Sequence, residues 1–249
     1  MPRFFVGNEA ITVSEGIYSI VITGDDARHI SRVLRVRPGE ELTVCDGKEY
    51  EYISSVVSVG DEVRLMSSKR QRITSEPPYT ATVFQALVKG ERFDLTVQKS
   101  TELGAGRIVP FSSRRCTVKL DEKEYPKKTE RWQRIADEAG KQCGRGVLPE
   151  VTFPMTFREM LDEASKADLV LFCYEGDTSL KLPETLKKTV CPGNVSVIIG
   201  PEGGFETTEV DEAEKRGMKP VGLGSRILRT ETAAPFVLSC LSYEFEIGR

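Results

Sequence analysis

Two short stretches near the carboxyl end of the chain hold most of the residues whose type and spacing could support chemistry. The first is "IIGPEGGF", residues 198–205, in which a β-branched run stops at Gly200 and three glycines and one proline fall within residues 200–204. The polar run "ETTEVDEAEKRG" follows and is typical of a helix. A strand, a glycine-rich turn and a helix in succession form a common place to bind a small molecule.

The glycine turn does not match the common phosphate-binding patterns. A Walker A loop would need its second glycine and its lysine where Phe205 and Glu206 stand. The dinucleotide pattern G-x-G-x-x-G fails in "GLGSRI" at Ile227 and in "GAGRIV" at Val109. These mismatches argue against a triphosphate or a dinucleotide as the ligand.

Hydrolase and zinc chemistry are also disfavoured. Ser225 lies in "LGSRI" rather than in G-x-S-x-G, and the single histidine, His29, belongs to a different predicted domain. No two of the six cysteines are spaced as a C-x-x-C pair, so we expect no zinc site. Scattered cysteines indicate a reducing compartment. They are Cys45, Cys116, Cys143, Cys173, Cys191 and Cys240.

The charge of Glu202 narrows the kind of ligand that the first turn could bind. The Glu202 carboxylate disfavours an anionic ligand but suits a cationic or hydroxyl-bearing one. Backbone amides freed by Gly203 and Gly204 could bind the edge of an adenine or a carboxylate group of the ligand. The alternative is a plain strand-to-helix turn in which glycines supply positive φ angles. This motif alone favours neither interpretation.

The second stretch is "VGLGSRILRTETAAPF", residues 221–236, which contains another strand end and another glycine turn. A dense polar set follows the turn, directly before an apolar helical run. This set consists of Arg226, Arg229, Thr230, Glu231 and Thr232.

The elements that position these stretches differ between the two parts of the chain. Residues 1–72 contain short β-prone runs broken by Gly and Asp, which predict a small β-barrel with one short helix before Pro38. A basic, proline-containing linker is expected near residues 70–78. Residues 73–249 alternate apolar strands with amphipathic helices and predict an α/β domain with parallel strands.

The last helical run, "TETAAPFVLSCLSYEFE", is apolar on nearly every side. A helix of this kind needs cover from its own core or from a second subunit.

Together the motifs "IIGPEGGFETTE" and "LGSRILRTETA" resemble the knotted (SPOUT) methyltransferases, and among them the RsmE family. "MPRFFV" and "HISRVLRVRPGE" resemble that family's N-terminal PUA-like barrel, and "KGERFDLTVQKSTELG" and "RWQRIADEAGKQCGR" its middle segments. The resemblance spans the whole chain. It implies a SPOUT-type α/β domain with a deep trefoil knot and the methylation of uridine N3 in 16S ribosomal RNA with S-adenosylmethionine. Threaded connections are rare in proteins, so the knot rests on the resemblance alone.

One departure from the family pattern is visible at the start of the helix after the first turn. The family usually has a serine there as the helix cap, and this chain has Glu206. Thr207 or Thr208 could supply the cap instead, and Thr208 with Asp211 fits a capping pattern.

The resemblance implies that three strand ends form the cofactor site, and it is the only basis for this assignment. One strand end follows "LFCY", and the other two are the glycine turns. The residues implied are Glu175, Gly200, Pro201, Glu202, Gly203, Leu223, Gly224, Ile227, Leu228 and Thr232.

For the acceptor, the chemistry of uracil suggests which groups are needed. N3 must lose a proton, and the anion spreads its charge onto the two ring carbonyls, where a planar guanidinium would stabilise it. Arg229 is the candidate for this role. Glu231 or Glu202 could accept the proton. The alternatives are a surface charge for Arg229 and a first-turn carboxylate that favours the helix dipole for Glu231.

Any contact with RNA must come from local basic patches, because 35 Lys and Arg against 38 Asp and Glu give a net charge of −3. Phe4 and Phe5 could stack on bases. The residues predicted to bind RNA are Arg3, Phe4, Arg32, Arg35, Lys89, Lys99, Arg114 and Arg145.

These observations predict a cytoplasmic homodimer that acts on 16S ribosomal RNA or the small ribosomal subunit, without a metal or a membrane. The amino terminus lacks the apolar core of a signal peptide, and no apolar run approaches the ~20 residues of a membrane span. Two other functions stay open. One is a non-catalytic RNA-binding or ribosome-assembly factor, and the other is a knotted methyltransferase that modifies another RNA or base atom.

Overall fold

The computed structural model describes residues 2–176, 178 and 180–248, and the chain divides into two compact units. Unit 1 comprises Met1–Glu76 and Gly140–Leu148, and unit 2 comprises Pro77–Ala139 and Pro149–Arg249. The first boundary therefore falls a few residues after the one expected from composition. Nothing in the sequence pattern indicates that residues 140–148 group with the amino-terminal unit.

Unit 1 is a seven-stranded sheet that curls around its own apolar core. Its strand order is β1-β4-β5-β6-β3-β2, with β7 paired to β5, and the pairs are antiparallel except β1 with β4. The strands are β1 Arg3–Phe5, β2 Ile11–Ser14, β3 Ile17–Ile22, β4 Glu41–Cys45, β5 Tyr50–Val59, β6 Val63–Ser67 and β7 Arg70–Arg72. The short helix α1, Gly24–Arg28, continues as a wider turn over His29–Leu34.

The predicted β-rich unit is confirmed, and its residue pattern explains the curl. Along β5 the buried residues alternate with exposed ones, because one face of the strand covers the core. Tyr52, Val56 and Leu65 are among the residues that fill this core.

Unit 2 is a sheet of eight parallel strands with helices between them. The strand order is β10-β9-β8-β14-β12-β15-β13, with β11 also paired to β9. The strands are β8 Thr80–Ala86, β9 Ala105–Ser112, β10 Glu150–Val151, β11 Met155–Thr156, β12 Leu169–Cys173, β13 Leu180–Lys181, β14 Asn194–Ile199 and β15 Pro220–Gly222. The helices are α2 Arg92–Glu102, α3 Tyr125–Cys143, α4 Phe157–Ala164, α5 Leu182–Lys188, α6 Thr207–Lys215 and α7 Thr230–Ser242.

The central strands of unit 2 are apolar on both faces, as a parallel sheet between helices requires. Five of the six residues of β14 are buried. Because β8, β14, β12 and β15 run in the same direction, their carboxyl ends meet at one edge of the sheet. Both glycine turns follow strands that end at this edge, β14 and β15.

The start of α6 differs from the expected cap. The N-cap residue is Glu206, and its backbone N–H donates to the Glu209 carboxylate 3.0 Å away, so neither Thr207 nor Thr208 takes that place. Glu209, at the third helical position, supplies the half of a capping box in which a carboxylate accepts the amide of the N-cap residue.

Among the described residues, no helix has both the length and the apolar character needed to cross a membrane.

Candidate active site

A cavity of about 410 Å³ lies in unit 2 at the carboxyl ends of β12, β14 and β15. Its walls come from residues 173–176 and 178, 199–202 and 204, and 222–231 and 233, which lie at or after the ends of these three strands. Arg92, the first residue of α2, completes the lining. Chain segments that are distant in sequence therefore converge on one site, as ligand sites at the carboxyl ends of parallel strands usually do.

The hydroxyl of Thr230 ties the first residue of α7 to two of the strand ends. It donates to the carbonyl oxygen of Gly200 at 2.8 Å and accepts from Nε2 of Gln85 at 2.8 Å. Gln85 is completely buried near the end of β8. A single hydroxyl thus joins β8, the turn after β14 and the start of α7.

The first glycine turn is anchored by Phe205. Its ring stacks on Phe172 with centroids 4.6 Å apart, and it leaves no room at Gly200, where a Cβ atom would lie 3.0 Å from the ring. Gly204 has φ +68°, and a side chain there would collide with the carboxylate of Glu175. The glycines are therefore needed at 200 and 204 for close approach and for a left-handed backbone.

The second glycine turn presents unpaired backbone donors. Gly224 has φ +122°, and a Cβ atom there would meet nothing within 4 Å. The amides of residues 224–229 donate no hydrogen bond to any described residue. Leu223 and Leu228 are half-buried beside them, and Ile227 is 82% exposed. Free amides next to an apolar surface suit a ligand that combines a flat ring with hydrogen-bond acceptors.

Charged groups of both signs line the cavity. Arg92 lies between two carboxylates, with NH1 3.0 Å from Glu202 and Nε 4.0 Å from Glu231. Oε2 of Glu231 is buried and has no hydrogen-bond partner among the described residues. Arg226 and Arg229 also line the cavity, and neither side chain forms an ion pair or a hydrogen bond with a described residue.

Most residues predicted for the cofactor site lie together in this cavity. Eight of the ten line it, and so do both candidates for catalysis, Arg229 and Glu231. Gly203 and Thr232 are not part of the lining. A Cβ atom on Gly203 would lie 3.4 Å from Cβ of Arg115, on the outer side of the turn.

Two residues predicted to bind RNA are held inside unit 1. Phe4 is 3% exposed in the core, so its ring cannot stack on a base. Arg145 is 5% exposed and forms an ion pair with Glu76, which makes it part of the framework. Both predictions are wrong for one reason: an arginine or a phenylalanine near a chain end or in a loop does not reveal from sequence which neighbour covers it.

The other predicted RNA contacts have different surroundings. Arg3 is half-buried and paired with Glu51, and Lys99 is half-buried and paired with Glu102. The remaining four are exposed in their own units: Arg32, Arg35, Lys89 and Arg114.

Sequence reasoning missed three residues that shape the site: Gln85, Arg92 and Glu209. Gln85 had a detectable signal, because it is the one amide side chain in the apolar run "TVFQALV". Arg92 and Glu209 had none, since charged residues near a helix start are ordinary.

The fold is that of an RNA methyltransferase, as comparisons with known proteins indicate. Residues 75–242 match the RNA methyltransferase domain model, and residues 22–65 match the RNA methyltransferase PUA domain model. The chain is 32% identical to the ribosomal RNA small subunit methyltransferase E of Bacillus subtilis, over 100% of this chain and 99% of that one. It therefore belongs to the ribosomal RNA small subunit methyltransferase E family.

Solved structures agree with this membership. The ribosomal RNA small subunit methyltransferase E of Neisseria gonorrhoeae bound to S-adenosyl methionine is 30% identical, with a TM-score of 0.82 over 97% of each chain. A Legionella pneumophila protein in complex with bound SAM is 33% identical, also with a TM-score of 0.82, over 96% of each chain.

Replacing Thr230 with Val should destabilise unit 2 by about 1–3 kcal/mol, because the Gly200 carbonyl loses its donor and Gln85 loses one of its two acceptors. Urea unfolding followed by the fluorescence of Trp132 would measure this change. Thr232→Val is the matched control, since Thr232 is exposed. Equal effects of the two substitutions would contradict the bracing role.

Proposed function

We propose that this protein transfers a methyl group from S-adenosylmethionine to N3 of a uridine in 16S ribosomal RNA of the small subunit. The observation that carries the proposal is the cavity at the strand ends, which two glycine turns form. The amides of residues 224–229 and the side chains of Arg226 and Arg229 have no hydrogen-bond partner there among the described residues. Family membership supports the reaction class. Because ribosomal RNA is the substrate, we propose that the protein acts in the cytoplasm.

The residues of the cavity fit the chemistry of S-adenosylmethionine. The free amides of residues 224–229 match the acceptor atoms of an adenine and a ribose, and Leu223 and Leu228 offer apolar surface to the ring. Glu175 and Glu202 suit the hydroxyl and cationic groups of the same molecule. When bound, the cofactor supplies a methyl group that is already activated, so the protein mainly has to position the acceptor.

Arg229 and Glu231 are the residues proposed to act on the uracil. Arg229 stabilises the negative charge that develops on the ring carbonyls as N3 loses its proton. Glu231 accepts that proton, since its Oε2 has no hydrogen-bond partner in the described part of the chain, whereas Glu202 already accepts from Arg92 and from the Lys89 amide at 3.3 Å. In this proposal Arg229 binds the ring carbonyls of the uracil, and Glu231 holds the proton that leaves N3.

RNA is proposed to bind through both units. In residues 1–72 the exposed Arg32 and Arg35 are the candidates, together with Arg3 at lower exposure. In residues 73–249 the candidates are Lys89, Lys99 and Arg114. Exposed cations of this kind bind the phosphate backbone and set the position of the RNA.

A homodimer is proposed from the uncovered side of the carboxyl-terminal helix. Ala234, Val237 and Leu238 are buried in the core of unit 2. Phe236 and Cys240 pack against the edge of this core and stay half-buried, and Tyr243 and Ile247 continue the same strip with exposed apolar side chains. A second copy of the chain would cover this strip.

The knot is also proposed, from the path between the glycine turns. After β15 the chain reaches Thr230, which bonds to Gly200 beyond β14 and to Gln85 at the end of β8. This segment therefore passes the ends of β12 and β14, a path that supports the proposed knot. A crystal structure with an unbroken trace through residues 194–245 would test it.

Mapping the methylated base tests the function directly. Labelled S-adenosylmethionine and small ribosomal subunits, or their free 16S RNA, are incubated with the purified protein, and the product is located by nuclease digestion and mass spectrometry. We expect label at N3 of one uridine. Label at another atom or in another RNA favours a different knotted methyltransferase, and RNA binding without transfer favours an assembly factor.

Gly204→Ala should weaken the binding of S-adenosylmethionine, because alanine strains the φ +68° backbone and displaces Glu175 from the cavity wall. We expect a loss of roughly tenfold or more in calorimetric titration, from about 1–3 kcal/mol of strain. Gly203→Ala is the matched control, since that site has an ordinary φ and a Cβ contact of 3.4 Å. A larger loss at 203 than at 204 would refute this geometry.

Arg229→Lys should lower the single-turnover rate about a hundredfold while leaving cofactor affinity nearly unchanged. Lysine keeps the charge but loses the planar fork that can meet two ring carbonyls. Arg226→Lys changes the neighbouring cavity arginine in the same way and should lower the rate far less. If Arg229→Lys lost cofactor binding but kept its normal turnover at saturating cofactor, Arg229 would be a cofactor-binding residue and another group would stabilise the uracil anion.

Tyr243→Glu with Ile247→Glu should convert the dimer into a folded monomer, because two buried carboxylates cannot be accommodated in an apolar interface. Light scattering at micromolar concentration measures the mass. Val190→Glu is the control, since Val190 is 84% exposed elsewhere on unit 2. A wild-type monomer at that concentration would rule out the dimer.

A further inference from the structure

Glu209 is a buried carboxylate that joins two loops distant in sequence. It lies in the first turn of α6 and is 2% exposed. Its oxygens accept from Oγ of Ser113 at 3.0 and 3.1 Å, from the Arg114 amide at 2.9 Å and from the Glu206 amide at 3.0 Å. It forms no ion pair with a described residue, and the donors that reach its buried oxygens are all uncharged.

These bonds fix residues 113–116 against the turn that follows β14. NH1 of Arg115 donates to the Gly203 carbonyl at 2.9 Å. NH1 of Arg114 reaches Oγ1 of Thr208 at 3.1 Å and the Glu206 carboxylate at 3.3 Å. Two consecutive arginines therefore lie along the outer side of the turn whose inner side lines the cavity.

Both arginines keep most of their donors available. A guanidinium has five N–H donors, and only NH1 of each is bonded to a described residue. The Arg114 side chain is 60% exposed, and Arg115 is exposed as well. Arginine forks match the geometry of phosphate oxygens, and a rigid loop lowers the entropy lost on binding.

We propose that Arg114 and Arg115 bind backbone phosphates of the RNA beside the acceptor nucleotide, and that Glu209 is the positioning residue that holds this pair against the cofactor turn. The inference rests on the proposed function for the identity of the RNA. It adds a role for a residue that touches neither the RNA nor the cofactor.

The alternative for Glu209 is a purely local cap for α6. A cap needs only the bond to the Glu206 amide, whereas Glu209 also accepts from the Ser113 hydroxyl and the Arg114 amide. Those two donors belong to the loop after β9, which has no part in capping α6. The bonds to this loop are therefore the ones whose removal should affect RNA binding.

The test is the salt dependence of RNA binding by Glu209→Gln. A glutamine has one acceptor oxygen where the carboxylate has two, so its N–H₂ group must face either the Arg114 amide or the Glu206 amide, and the attachment of the loop to α6 should loosen. The probe is a uridine-rich single-stranded oligoribonucleotide. The slope of log K against log salt should fall by about 1.4 in magnitude, because each single-strand phosphate that an arginine no longer neutralises lowers it by roughly 0.7. Glu214→Gln, an exposed change of equal charge on α6, should leave the slope at the wild-type value.

A mutant cycle separates positioning from general damage. Arg114→Ala with Arg115→Ala should lower the slope as much as Glu209→Gln, and combining all three changes should lower it no further. Arg32→Ala with Arg35→Ala should lower the slope further when combined with Glu209→Gln or with the Arg114 and Arg115 changes, because Arg32 and Arg35 lie in unit 1. Additive losses from Glu209 and the arginine pair, or weaker binding with an unchanged slope, would overturn the proposal.

Folding and function are checked separately. If Glu209→Gln does not fold, Ser113→Ala removes one loop donor with less disturbance, and a smaller fall of the slope in that variant carries the same conclusion; an unchanged slope opposes it. Should the wild-type protein bind the RNA without methylating any uridine, the proposed function fails. The slope comparison then still decides the role of Glu209.

Discussion

The hydroxyl of Thr230 is the contact on which the geometry of the site depends. One oxygen atom links Gln85 of β8, the Gly200 carbonyl after β14 and the first turn of α7. A hydroxyl suits this position because it donates once and accepts as well. Arg229 and Glu231 flank Thr230 in sequence. Holding Thr230 in place therefore also holds the backbone from which both proposed catalytic side chains extend. The interaction is shielded from water, where a missing partner is costly.

The cavity also depends on the packed core beneath it. Phe205 belongs to the glycine turn, yet its ring stacks on Phe172 in the middle of the aromatic cluster with Phe111 and Phe157. The turn is therefore anchored at its end by the burial of Phe205 and the bond from the Glu206 amide to Glu209, and at its start by the bond from Thr230 to the Gly200 carbonyl. Between these anchors lie the glycines, which free the backbone to approach a ligand. Rigid attachment on both sides lets a turn rich in glycine keep one conformation, which glycine alone would not ensure.

Sequence could predict much of this arrangement where a local pattern determines it. Apolar runs indicated the parallel strands, and the glycines of 200–204 and 222–224 marked both turns of the cavity. What sequence could not reveal was the tertiary partner of a polar or aromatic residue. Phe4 could be an exposed stacking ring or a core residue, and only the fold of unit 1 assigns it to the core. Likewise Gln85 and Glu209 are explained by residues more than ninety positions away.

The same limit applies to the charges, and it explains how a chain of net charge −3 can contact RNA. Net charge counts Arg145 and Arg114 equally, although the first is sealed in an ion pair with Glu76 and the second is exposed. Carboxylates also serve two purposes. Glu76 pairs with the cation of Arg145, whereas Glu209 pairs with no cation among the described residues and holds the loop that carries Arg114 and Arg115. Because amide and hydroxyl donors saturate Glu209, it pairs with neither guanidinium, and Arg114 meets a carboxylate only at the surface, through NH1 and Glu206. The local electrostatic potential that an RNA phosphate meets depends on which cations the carboxylates pair with, and the number of carboxylates alone does not determine it.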